Sequence, residues 1–73
     1  MIFMKYTIRG FRNNKLTSLS GEITTSRKPN KNVARDVVKA VRHDGLTNCF
    51  ICILTCDDGT KRIYEGNSLK VDY

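Results

Sequence analysis

Three cysteines lie close together as Cys49-x-x-Cys52-x-x-x-Cys56, and the only histidine, His43, stands shortly before them. Thiolate and imidazole are the ligands of tetrahedral zinc, so metal chemistry is the first possibility to weigh. A structural zinc takes four ligands that converge from loops or knuckles. The run Asn48 to Cys56 is instead apolar and reads as a strand. On a strand Cys49 and Cys52 point to opposite faces, and Cys52 and Cys56 share a face about 13 Å apart. Free cysteine is commonly a small buried apolar residue. The sequence therefore predicts core packing for the three thiols, and no metal or other cofactor. An odd, clustered count is no disulfide framework and points to a reducing, cytoplasmic setting.

Acid–base catalysis by His43 would need a positioned partner. Asp44 is adjacent, but neighbours on a helix point apart. A cation at a helix end is the expected role. Asp57 and Asp58 belong to a turn. No serine sits in a nucleophile elbow, and no glycine-rich loop is built to cradle phosphate. The expected class is a non-enzyme.

The remaining chemistry is charge. The chain has 73 residues and a net charge of +6. Residues 27 to 42 hold six of the 13 basic residues and a single acid, Asp36, which makes +5. The rest of the chain has seven basic residues and six acids, or +1. A patch of one sign attracts acidic partners. Arg27, Lys28, Lys31, Arg35, Lys39 and Arg42 are the candidate partner-binding residues. Arginine offers forked contacts to phosphate and lysine a point charge. Asn30 and Asn32 are the only obvious base readers nearby, so nucleic-acid binding would be largely independent of sequence. The rival reading is an inhibitor or adaptor that lays the same basic face on an acidic surface of a nucleic-acid-processing protein. The bland reading is a solvated helix face.

These cations need a helix to align them. At about 100° per residue, Val33, Ala34, Val37, Ala40 and Val41 fall in one arc, and Lys31, Arg35, Lys39 and Arg42 fall roughly opposite. Pro29 disfavours helix at Lys28, Asn30 is the best N-cap candidate with Asn32 the alternative, and Gly45 can take the left-handed position that ends the helix.

The flanking segments read as strands. Residues 2 to 11 alternate, with Met4, Tyr6 and Ile8 on one face and Lys5, Thr7 and Arg9 on the other. Arg12-Asn13-Asn14-Lys15 suits a hairpin turn. Leu16 to Thr25 is a second strand, in which Gly21 suggests a bulge. The third strand, Asn48 to Cys56, is apolar on both faces: Phe50, Cys52 and Leu54 on one, Cys49, Ile51 and Ile53 on the other. Asp57-Asp58-Gly59-Thr60 turns the chain into a fourth strand, Lys61 to Glu65. Leu69, Val71 and Tyr73 alternate and suggest a short fifth edge strand.

The expected fold is a single α+β domain over residues 1–73: a two-layer ββαββ sandwich, one amphipathic helix on a mainly antiparallel four-stranded sheet. A chain this short has a thin core. The apolar run at the N-terminus is too short for a signal-peptide core, and no segment is built to span a membrane. The apolar second face of the third strand suggests a homodimer, with a fold-over of Ile2-Phe3 and the tail as the alternative.

Overall fold

The computed structural model of the chain describes residues 1–69. Its order is β1 (Ile2–Arg12), β2 (Lys15–Thr25), α1 (Lys31–Arg42), β3 (Thr47–Cys56), β4 (Lys61–Glu65) and a short 3-10 helix (Gly66–Leu69). The four strands form one antiparallel sheet in the order β2-β1-β3-β4. This is the α+β fold that the alternation and the helical arc predict. Among the described residues there is no fifth strand. Leu69 closes the 3-10 helix and is buried there, and Val71 and Tyr73 lie outside the described residues.

The first hairpin follows from two asparagines. Asn13 and Asn14 both take positive φ, at 52° and 64°. Two consecutive left-handed residues make the tight turn whose twist matches a strand pair, and asparagine tolerates that conformation better than most residues. Pairing then runs one to one from Arg12↔Lys15 to Ile2↔Thr25. No bulge interrupts it at Gly21, contrary to the sequence reading. Gly21 serves the Tyr6 ring instead, since a Cβ there would lie 2.5 Å from Tyr6 Cζ.

The irregularity lies on the other side of β1, where the β1–β3 register shifts between Arg9 and Phe11. Asn48 is left-handed there, with φ 50°. The shift also reverses part of the expected alternation. Cys49 packs against the core, and Phe50 meets Phe11 with ring centroids 6.0 Å apart. Gly10 makes this crossing possible, because a Cβ on it would sit 2.8 Å from the Thr47 carbonyl oxygen.

Asn30 caps α1: its Oδ1 accepts a hydrogen bond from the Val33 N–H at 2.9 Å. At the far end Gly45, with φ 89°, lets the Gly45 N–H reach the Arg42 carbonyl and the Leu46 N–H reach the Val41 carbonyl. Those two bonds satisfy carbonyls that a helix terminus leaves unpaired. The next residue, Leu46, is fully buried.

The core lies between α1 and one face of the sheet. Met4 and Ile8 come from β1, Cys52 and Leu54 from β3, and Val33, Ala34, Val37, Val38 and Val41 from α1. Two helical positions depart from the expected arc, for Ala40 is exposed and Val38 is buried. The helix lies over β3 and the 3-10 helix rather than over β2, which rotates its buried arc towards Val38. Ala40 is left to line a trough beside β2.

Candidate partner-binding site

The cap and the arc decide where the cations go. Once Val33, Val37 and Val41 are turned inward, residues about half a turn away must face water. Lys31, Lys39 and Arg42 are exposed on α1, and Arg35 is half-buried. These four form one cationic flank along about three turns of helix. The first helical turn contains no acidic residue, and the last contains Lys39 and Arg42, where cations suit the helix dipole.

The six candidate residues do not all belong to this flank. The Arg27 guanidinium is bound to the Asp36 carboxylate at 2.6 Å. Asp36 and Arg27 therefore neutralise each other on the β2 side of the helix. Lys28 is exposed but lines a different cleft, about 550 Å³, beside Ile2, Phe3, Pro29, Asp58 and Arg62. The fold brings Lys31, Arg35, Lys39 and Arg42 together and leaves Arg27 and Lys28 apart from them. Of the two asparagines, Asn30 is committed to the cap and Asn32 is exposed.

Arg12 is a cation with a structural role that the sequence reading missed. Its Nη2 donates to the Asp44 carbonyl at 2.8 Å, which ties the end of β1 to the end of the helix. Its Nε is buried without a hydrogen-bond partner. The one hint in the sequence is a cation at a hairpin turn in a chain whose helix end has carbonyls to satisfy.

His43 is exposed at the end of α1, and its backbone N–H donates to the Ala40 carbonyl. The three cysteines are free. Burial pushes the Cys52 thiol up to about 12, with the neighbouring Cys49 adding to the effect. Burial also raises Cys49, opposed by the charge of Arg42. Both thiols are thus held in the protonated form, which is a poor nucleophile and a poor metal ligand. Among the described residues, no group of three or more His, Cys, Asp or Glu side chains could hold a metal ion. No described helix is long and apolar enough to cross a membrane.

No protein-family model matches this chain, and none of the curated proteins or solved structures compared with it is similar to it.

Proposed function

We propose that this chain is a small non-enzymatic binding protein that docks on a polyanion through the cationic flank of α1, and that the polyanion is nucleic acid. The observation that carries the reading is the alignment of Lys31, Arg35, Lys39 and Arg42 along one side of a capped helix. Arg27 and Lys28 stand outside this contact surface: one is paired with Asp36, and the other lies in a separate cleft.

The binding is expected to be indifferent to sequence. The flank offers positive charge, and of the two base readers Asn30 already accepts a hydrogen bond from the Val33 N–H, which leaves Asn32 alone exposed beside the flank. Phosphate contacts position a protein on nucleic acid without reading bases. Four phosphate contacts on a duplex give a slope of about −4 for log K against log salt. Titration of duplex and single-stranded oligonucleotides at several salt concentrations measures that slope. Replacing Lys31 and Lys39 by glutamine should flatten it by about two contacts' worth.

The commitment of Asn30 to the cap also favours a second reading, an inhibitor or adaptor that lays this flank on an acidic protein surface. That partner would be captured stoichiometrically through Lys31 and Lys39, while oligonucleotides would bind weakly and without a plateau. If the glutamine variant keeps full affinity for oligonucleotides, the flank is only a solvated helix face and the proposal fails.

A further inference from the structure

The two edges of the sheet are built differently. The β4 edge has five residues, of which Lys61, Arg62 and Glu65 are charged. The β2 edge has 11 residues and only two charges, Lys15 and Glu22. It contains no proline, and its pairing to β1 is unbroken. An exposed edge presents unpaired N–H and C=O groups to any other strand, and natural sheets usually blunt such edges with charge, proline, bulges or short length. β4 carries two of these protections. β2 carries almost none.

A second feature lies beside the same edge. Because α1 sits over β3, a trough of about 260 Å³ remains between helix and edge strand, lined by Ile23, Val33, Val37 and Ala40. The helix-facing residues Leu19 and Ile23 of β2 are only half-buried. The edge thus offers a backbone ladder and an apolar strip next to it.

Charge selects the occupant. Two copies of a chain carrying +6 repel each other unless they meet where charge is balanced. β2 is such a place, because Lys15 and Glu22 cancel. At the trough Arg27 and Asp36 cancel as well. An antiparallel pairing of two β2 strands about Leu19 places Leu19 on Leu19, Thr17 on Gly21 and Ser18 on Ser20. It sets Lys15 of each copy opposite Ile23 of the other and Glu22 opposite Leu16, so no like charges face each other. Stacking the open sheet faces instead would desolvate Lys5, Arg9, Glu22, Lys61 and Glu65, which costs more than such pairs return.

We propose that two copies of this chain pair antiparallel through their β2 edges, forming one eight-stranded sheet with both helices on the same side. The dimer interface is then the edge of β2 rather than the second face of β3. The proposal stands whether or not the helix flank binds nucleic acid.

Sedimentation equilibrium tests it. The unmodified chain should be dimeric at about 1 mM and dissociate on dilution. Ser18 and Ser20 are exposed, so changing them leaves the core untouched. The pair Ser18→Lys with Ser20→Lys sets lysine against lysine and should weaken the dimer roughly 100-fold or more. The pair Ser18→Glu with Ser20→Glu should do the same. Mixing the two variants sets lysine against glutamate and should restore a dimer of one copy of each. Circular dichroism of each variant should show the same folded spectrum. A monomeric unmodified chain at the highest concentration overturns the proposal. So does a dimer that survives the lysine pair, or a mixture of the two folded variants that stays monomeric.

Discussion

The two faces of the sheet use the same strands for opposite ends. On the covered face Met4, Ile8, Cys52 and Leu54 have no exposed surface at all. On the open face their strand neighbours are Lys5, Thr7, Arg9, Ile51, Ile53 and Thr55, with Glu22 and Ile63 on the flanking strands. Ile51 and Ile53 are half-buried there and Ile63 is 59% exposed. Burial of apolar area supplies most of the driving force of a fold. In a domain this small, one closed layer must supply nearly all of it. The open face is free to carry charge and scattered apolar residues at little cost. Substitutions on the two faces should therefore differ in kind, not only in degree.

The sharpest contrast comes from Val37→Asp. It puts an unpaired charge under α1, at a position 4% exposed. The expected loss is about 4 kcal/mol or more, enough to abolish a cooperative thermal transition in a marginal domain. A folded variant would mean that the helix is not held by this face. Gly10→Ala comes next. Its Cβ would press on the Thr47 carbonyl, which the β1–β3 crossing holds in place, and a loss of about 2 kcal/mol is expected in urea unfolding. Asn30→Ala removes the cap and should cost about 1 kcal/mol, with glycine at the same position restoring most of it. On the open face Ile63→Thr should change the free energy of urea unfolding by no more than about 0.5 kcal/mol. A loss as large as that of Gly10→Ala would show that something covers the open face.

The smallest effect belongs to the β3–β4 turn, outside both layers. Hydrogen bonds from Thr60, first its backbone N–H, hold the Asp58 carboxyl below its ordinary value of 3.8. A carboxyl depressed by folding stabilises the native state above its unfolded value, and that contribution is lost as the pH falls through the folded one. Acid titration below about pH 4 should show a slightly shallower loss of stability in Asp58→Asn than in the unmodified chain.

The sequence was most legible where a local rule had no competitor. Alternation in β1, two asparagines at a tight turn, the Asn30 cap and Gly45 at the helix end each needed only their neighbours. The misreadings all involve where one element sits on another. Ala40 belongs to the apolar arc by angle, and only the displacement of α1 towards β3 exposes it. Gly21 looked like a bulge, but the glycine that a chain crossing demands is Gly10, and nothing near Gly10 in sequence announces Thr47. That same crossing exchanged the roles of Cys49 and Phe50. In the candidate site the spacing of Lys31, Arg35, Lys39 and Arg42 was legible from helical period alone. The loss of Arg27 to Asp36 was not, because a loop residue meets a helix residue nine positions away.

The position of β1 in the middle of the sheet bears on the order of folding events. Its partner β2 follows at once across a two-residue turn, whereas β3 must return from beyond the helix to pair Arg9 with Ile51. A hairpin closes within about 1–10 μs, but a long closure must offset more chain entropy before its contacts form. The first hairpin and α1 are local elements, and the β1–β3 pairing is the step that joins them. The rate-limiting transition state is then expected to contain β1, β3 and the valine face of α1, with β4 completing later. Conservative truncations such as Ile8→Val should slow refolding, while Ile63→Val should act mainly on unfolding.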